Sequence, residues 1–409
     1  MSTASAAKTG LLVLTLINLF NYLDRFVVSA LVESLKKSEL ALSDTQAGSL
    51  ATAFLVVYML TSPIFGTVGD RGKRPRLLAI GVGIWSVATA LGGFARSFPA
   101  LFAARATVGV GEAAYGTIAP ALLADYFPKE KRGRVFAVFF AAIPIGSAAG
   151  YVLGGLVDQH FGWRSAFFVA GAPGLLLALL CLTLVDPPRG AQDAPDGSTV
   201  APHPGPLPEG EGRTPWRAYG RLLRNRPYAL TVLGYAAYTF ALGGLAFWTP
   251  AFLERVRGLS KGEATIQFGG IVVVTGFLGT FAGGWLGDYF LKRSQQAYLW
   301  VSGWTALAAA PAAFVAFVAP QKAVYLSAIV VAELLLFAST GPINSAIVNL
   351  VAPTERATAV ALSIFAIHLL GDVPSPPLIG AISDATSLAV AFRIVPVAMA
   401  VAGVIWLAA

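Results

Sequence analysis

The chain has 409 residues, of which 56% are hydrophobic and only 12% charged, where a soluble globular chain carries about a quarter charged residues. The apolar content runs along nearly the whole length, which excludes an ordinary soluble domain and makes lipid the expected solvent. The formal net charge is +8, but the basic residues stand in short loops beside apolar runs, a topological pattern that excludes nucleic acid as the partner.

The first apolar run begins at Gly10 and passes through Asp24 and Arg25 into Leu31. It is therefore read as a first span and not as a cleavable leader, whose apolar core is shorter and ends at small residues. A membrane helix needs about twenty mostly apolar residues. On that measure twelve spans are expected, at 10–34, 45–68, 76–95, 99–125, 133–157, 164–185, 228–253, 264–290, 296–318, 322–350, 355–383 and 388–409. Pro63, Pro144, Pro173 and Pro342 fall inside spans, where neighbouring helices can re-satisfy the freed backbone groups. Cys181 is the single cysteine, so no internal disulfide is possible and a buried thiol is expected.

The loop after the second span carries Arg71, Lys73, Arg74 and Arg76, and the loop after the fourth carries Lys129, Lys131, Arg132 and Arg134. Six arginines lie between Arg189 and Arg226, and Lys292, Arg293 and Arg356 fall on the same side. The side richer in Lys and Arg should be cytoplasmic, which places both termini in the cytoplasm. Between the sixth and seventh spans, the polar stretch 186–225 includes Pro-His-Pro-Gly-Pro-Leu-Pro-Glu-Gly-Glu-Gly at 202–212. Such a composition cannot build a core and reads as a hydrated linker. It divides the chain into an N-terminal six-helix bundle (1–185) and a C-terminal six-helix bundle (226–409).

The halves repeat one another. Gly66-Thr-Val-Gly-Asp70-Arg-Gly-Lys-Arg74 follows the second span, and Gly284-Trp-Leu-Gly-Asp288-Tyr-Phe-Leu-Lys-Arg293 follows the eighth. Asp-Tyr-Phe-Pro-Lys-Glu-Lys-Arg (125–132) leaves the fourth span, and Val-Ala-Pro-Thr-Glu-Arg (351–356) leaves the tenth. Gly155 to Asp158 with Trp163 and Arg164 is echoed by Gly380 to Asp384 with Phe392 and Arg393. Two parallel six-helix halves form a transporter architecture with its site near the bilayer midplane. The expected fold class is all-α membrane protein, with twelve transmembrane helices in two pseudo-symmetric six-helix bundles.

The loop after the second span resembles the signature that the major facilitator superfamily carries there. Arg105-Ala-Thr-Val-Gly109-Val-Gly111 in the fourth span resembles that superfamily's Arg-x-x-x-Gly-x-Gly signature. Asn21-Tyr22-Leu23-Asp24-Arg25 in the first span, with Glu112 in the fourth, resembles the Spinster family of lipid transporters. The resemblance implies alternating access, proton coupling and a lysophospholipid or sphingosine-1-phosphate-like substrate. It also implies that Asp70, Arg71 and Arg74, with Asp288, Lys292 and Arg293, form cytoplasmic gating latches.

Ionisable groups at mid-bilayer cost about 2.5–3.5 kcal/mol each on insertion scales, so they are paired or functional. Asn18, Asn21, Tyr22 and Arg25 follow i, i+3, i+4, i+7 spacing and share one stripe, with Asp24 at its border. Arg105, Gly109, Glu112 and Gly116 share a face of the fourth span. Two carboxylates and two arginines can therefore meet, either as a fixed structural network or as a working site. On the working reading, Arg25, Asn21, Tyr22 and Arg105 contact substrate, because a guanidinium matches phosphate in a bidentate fork, and Asp24 and Glu112 carry protons. Phe54, Tyr58, Tyr115, Phe247 and Trp248 are candidates for an acyl-chain pocket. The second half is poorer in such groups, the exceptions being Glu333 in the tenth span and His368 with Asp372, four apart on one face of the eleventh.

His160, His203 and His368 are the three histidines in all, so no three-histidine metal site is expected. No metalloprotease helix, nucleophile elbow or phosphate-binding loop is present, so no enzyme, cofactor or direct ATP drive is expected. The expected partners are a lipid or small-molecule substrate, protons and membrane lipids, with the chain a monomer. A transporter of a small organic anion or drug-like molecule is the alternative reading.

Overall fold

A computed structural model describes residues 3–189, 191–192, 215–351 and 356–409. Within that range a few side chains, Asp70 among them, lie outside the described residues. The fold is all α. Among the described residues, eleven helices are long and apolar enough to cross a membrane. The fourth expected span is also a single helix, α4 (Phe98–Tyr126), although Arg105, Glu112 and its many small residues make it less apolar. Large apolar side chains such as Leu176, Phe281, Trp285 and Trp304 remain exposed on helix faces. Water would not tolerate that much apolar surface, and acyl chains would.

Two compact units are present. The first comprises Met1–Leu40 and Ala53–Gly212, the second Ala41–Thr52 and Arg213–Ala409. The first unit holds α1 (Thr3–Lys37), most of α2 (Asp44–Arg71), α3 (Arg74–Gly92), α4, α5 (Lys129–Phe161) and α6 (Trp163–Cys181). Pro75 and Pro99 sit in the first turns of α3 and α4, where a missing N–H costs nothing. Gly162, at φ 81°, makes the direct corner between α5 and α6, a conformation that penalises any residue with a Cβ.

In this unit α1 packs on α5, and α3 on α4 and α6. The α1–α5 contact depends on glycines four residues apart. A Cβ at Gly146 would stand 2.4 Å from the Leu19 carbonyl oxygen, and one at Gly150 would stand 2.5 Å from that of Leu23. Backbones can approach this closely only with small residues in the stripe. Between α3 and α4, Trp85 meets Tyr115 edge-on at 5.6 Å between ring centroids, and Cys181 is buried in the same core, as expected.

Beyond the membrane-length helices, the turn after α1 holds Glu39, which pairs with Arg164 at the start of α6. Arg164 also donates to the Gly93 and Ala95 carbonyls at 2.9 and 2.7 Å. The Glu39 carboxyl lies below the ordinary carboxylate range because its own backbone N–H and then the Arg164 guanidinium stabilise the charged form.

The second unit holds α8 (Arg226–Arg255), α9 (Lys261–Leu291), α10 (Ala297–Val318), α11 (Lys322–Asn349), α12 (Arg356–Ile367), α13 (Ser375–Ala385), α14 (Leu388–Ala391) and α15 (Ile394–Ala408). Ser260 caps α9 by accepting from the Glu263 amide, a capping-box spacing. The eleventh span is one α12–α13 rod interrupted by a π-helical turn at His368–Asp372. The reading of 186–225 as a hydrated linker unable to build a core needs correction at its far end, where Pro215–Arg224 forms α7. Leu222 is buried there in a cluster with Tyr228, Ile347 and Val351. The recurrence of Trp216, Tyr219 and Leu222 at helical spacing is a local signal that the Pro- and Gly-rich tract at 202–212 outweighed. That tract, with His203, lies outside the described residues.

The first turns of α2 belong to this second unit. The Asp44 carboxylate is buried and takes both Arg255 Nη atoms, at 2.6 and 2.8 Å. The Asp384 carboxylate accepts the Asp44 and Thr45 amides, each at 2.8 Å, so it caps the N-terminus of α2 and meets the positive end of its dipole.

Candidate functional site

The candidate site lies in the first unit, where α1, α2, α3 and α4 bring their polar side chains together. α1 supplies Asn18, Asn21, Tyr22, Asp24 and Arg25. Its stripe faces inward: Asn18, Asn21 and Asp24 are all buried, and Asn18 Nδ2 donates to the Phe139 carbonyl of α5 at 2.9 Å.

The four charges pair in two sets. Arg25 Nη2 donates to Glu112 Oε2 at 2.8 Å. Arg105 Nη1 donates to Asp24 Oδ1 at 3.1 Å, and Thr89 of α3 donates its hydroxyl to Asp24 Oδ2. Exposure separates the two pairs. The Asp24 and Arg105 side chains are 1% and 3% exposed, whereas Arg25 is 22% exposed and its partner Glu112 is 0% exposed. Asp24–Arg105 is therefore a sealed pair, and Arg25 is the one cation of the group that opens to the surroundings.

Aromatic rings surround the arginines. The Arg25 guanidinium lies 4.7 Å from the Phe54 centroid, 4.8 Å from that of Tyr22 and 5.5 Å from that of Tyr58. Phe54 also lies 5.7 Å from the Arg105 guanidinium. Ring quadrupoles hold a cation without neutralising it. Gly109 lets α2 approach, since a Cβ there would meet the Phe54 carbonyl oxygen at 2.5 Å. Several buried polar atoms have no partner among the described residues: Glu112 Oε1, Arg25 Nε, Arg105 Nε and Asn21 Nδ2. Such atoms carry a desolvation cost unless something else satisfies them.

All four expected charges meet, but sequence reasoning did not assign the partners, and it missed Thr89. A buried threonine one helix away leaves no periodic signal. Of the aromatic candidates, Phe54 and Tyr58 join the site. Tyr115 instead donates its hydroxyl to the Leu14 carbonyl at 2.6 Å inside the core, and Trp248 donates its ring N–H to the Pro376 carbonyl at 2.9 Å.

The loop residues fall elsewhere. Arg74 is buried in the first unit, where it pairs with Asp125 and with Asp186 and donates to the Pro187 carbonyl. Arg189 donates to the Gly69 and Gly72 carbonyls at 2.9 and 2.6 Å. This binds the end of α6 and its continuation to the α2–α3 corner. Arg71 is exposed, and Asp70 is in α2 with its side chain outside the described residues. In the second unit Asp288 accepts the Tyr298 hydroxyl at 2.8 Å. Lys292 and Arg293 are exposed, the latter over the Tyr289 ring at 5.3 Å. His368 Nδ1 and Asp372 pair at 2.9 Å across the π-helical turn.

Twelve spans in an internal repeat, with paired charges sunk at mid-depth, define a multi-pass membrane transporter, and residues 14–373 match the profile of the Major Facilitator Superfamily. Within that superfamily the chain belongs to the spinster family. It is 37% identical over 392 residues to spinster homolog 3 of Danio rerio, covering 92% of this chain and 76% of that one. It is 36% identical over 391 residues to the sphingosine-1-phosphate transporter of Mus musculus, covering 91% and 69%. With the spinster protein of Drosophila melanogaster the identity is 34% over 395 residues, 91% of this chain but 61% of that longer protein. The crystal structure of a bacterial homolog to the human lysosomal transporter Spinster, inward-facing and unoccupied, superposes with a TM-score of 0.83 at 26% identity. That superposition covers 98% of this chain and 95% of the other.

Proposed function

We propose that the chain moves an amphipathic anionic lipid, a lysophospholipid or a sphingosine-1-phosphate-like molecule, by proton-coupled alternating access of its two bundles. The observation that carries the reading is the asymmetry of the charge pairs: Arg25 is partly open, while its carboxylate partner Glu112 is fully buried with one oxygen unpartnered. A guanidinium so placed can take a phosphate head in a bidentate fork. A proton arriving on Glu112 removes the charge that holds Arg25 and frees the guanidinium for substrate; loss of that proton reverses the exchange. Asn21 and Tyr22 flank the head group. Asp24 is the second proton-site candidate, and Arg105 tunes it from within the sealed pair. The similarity to the sphingosine-1-phosphate transporter of Mus musculus supports the substrate class.

Alternating access requires the halves 1–185 and 226–409 to rock about a midplane site, with 186–225 joining them. Asp70, Arg71 and Arg74, with Asp288, Lys292 and Arg293, act as latches on the basic side, which faces the cytoplasm together with both termini. The chain works as a monomer in the inner membrane. The test is uptake of sphingosine-1-phosphate and of a lysophospholipid into proteoliposomes, with and without a pH gradient. Arg25→Ala should abolish uptake while the protein remains monodisperse, and Glu112→Gln should remove its dependence on the gradient. Uptake by Arg25→Ala at the unmodified rate, or a pH-driven rate unchanged in Glu112→Gln, overturns the reading.

A further inference from the structure

Glu333 is a buried carboxyl that the site above does not use. It lies in α11, eleven residues after Lys322 and sixteen before Asn349, so about 17 Å along the helix and near mid-bilayer depth. Its side chain is 2% exposed and has no hydrogen bond or ion pair among the described residues. An isolated carboxylate in such a place carries a heavy desolvation cost that the neutral acid escapes. Asp24 and Glu112, by contrast, each face an arginine.

Among the described residues no countercharge pairs with Glu333. Helices α9 and α10 pack on α11, and their stretches 264–287 and 299–318 contain no Asp, Glu, His, Lys, Arg, Tyr or Cys. From α8 the titratable groups turned toward α11 are Tyr238, which bonds to it at Leu336 and Thr340, and Tyr235, which accepts from Asn344. From the π-helical turn, His368 Nδ1 and Asp372 lie 2.9 Å apart and pair with each other. A polar track leads away from the site along one face of α11. The Tyr238 hydroxyl is 3.0 Å from the Leu336 carbonyl oxygen and 3.0 Å from Thr340 Oγ1. Asn344, which is exposed, donates to the Thr340 carbonyl at 2.8 Å and to the Tyr235 hydroxyl at 3.2 Å.

The repeat gives an independent reason to single out this position. Pro128 after the fourth span corresponds to Pro353 after the tenth, an offset of 353 − 128 = 225 residues. The same offset carries Glu112 to position 337, and Glu333 is four residues before it, one turn away on the same face. Each half thus holds one mid-span glutamate on equivalent faces of equivalent helices, with an arginine in one half and without one in the other.

We propose that Glu333 is a second proton-binding site, seated in the C-terminal bundle and reached along the Tyr238–Thr340–Asn344 track. It takes up and gives off one proton while holding no substrate. Its effect on transport rests on the proton-coupled reading above, whereas its titration does not.

The test is infrared difference spectroscopy of the full chain in lipid, following the protonated-carboxyl stretch from about pH 9 to about pH 5. The wild type should gain a component that Glu333→Gln lacks, Glu112→Gln retains and Tyr238→Phe shifts in frequency. Should Glu333→Gln fail to fold, Glu333→Asp should move the same component to the aspartic-acid position. A spectrum unchanged in Glu333→Gln or Glu333→Asp, or a Glu333 component present at constant intensity at every pH, overturns the inference. Proteoliposome uptake of sphingosine-1-phosphate separates this from the transport reading. If the wild type takes up substrate without regard to pH, the proton-coupled function fails, and the Glu333 component still decides the site.

Discussion

Replacing Asp24 by Leu tests whether the sealed pair is structural in its energetics. The change leaves the Arg105 guanidinium, 3% exposed, without its countercharge, and leaves the Thr89 hydroxyl without its acceptor. Breaking a buried ion pair by removing one partner costs about 3–5 kcal/mol, and the orphaned hydroxyl adds about 1–3 kcal/mol. The pair term alone is roughly a 100- to 4,000-fold shift in the folding equilibrium, at about 1.4 kcal/mol per tenfold. Combining Asp24→Leu with Arg105→Met removes both charges and should recover most of the pair term, because apolar replacement of a whole buried pair is often close to neutral. Thermal unfolding in mild detergent, read by tryptophan fluorescence and by loss of monodisperse protein, measures both variants. Asp24→Leu within about 1 kcal/mol of the wild type, or a double variant no better than the single, would refute the assignment of Arg105 as its buried partner.

Two further predictions concern the frame around the site. Gly150→Leu places a side chain where even a Cβ would lie 2.5 Å from the Leu23 carbonyl oxygen. It should destabilise the α1–α5 contact by about 1–3 kcal/mol or more, visible as a lowered melting temperature, and an unchanged melt would contradict the close approach. Glu39→Gln should cost stability near neutral pH and nothing in acid. Because the folded-state carboxyl is depressed, its contribution is fully present above the unfolded value of about 4.3. It disappears as pH falls through the lower folded value, so melts of the two proteins should converge there and stay apart above.

Much of the candidate site was legible in the chain. The i, i+3, i+4, i+7 stripe in the first span and the Arg105-to-Glu112 face in the fourth both located charges that membrane energetics oblige to face inward. The pairing was not legible, because helical periodicity gives a direction for each side chain and no distance between helices. Thr89 was invisible for the same reason: a hydroxyl in an apolar helix becomes an acid's partner only when folding brings the two together, as it does with Asp24. Arg74 reads in the chain as a loop residue, and its burial against Asp125 and Asp186 was not legible there.

Composition, the spacing of apolar runs and the repeated loops were enough by themselves to determine a membrane protein of two six-helix halves. The reason is that the bilayer fixes span length and forbids unpaired backbone in lipid, constraints that are local and therefore written in order along the chain. Which arginine is sealed and which is open, and that Glu333 has no partner among the described residues, depended on how glycine-lined helices settle against one another. Only the tertiary structure decided those points, since desolvation is a property of everything packed around a group and not of its neighbours in sequence.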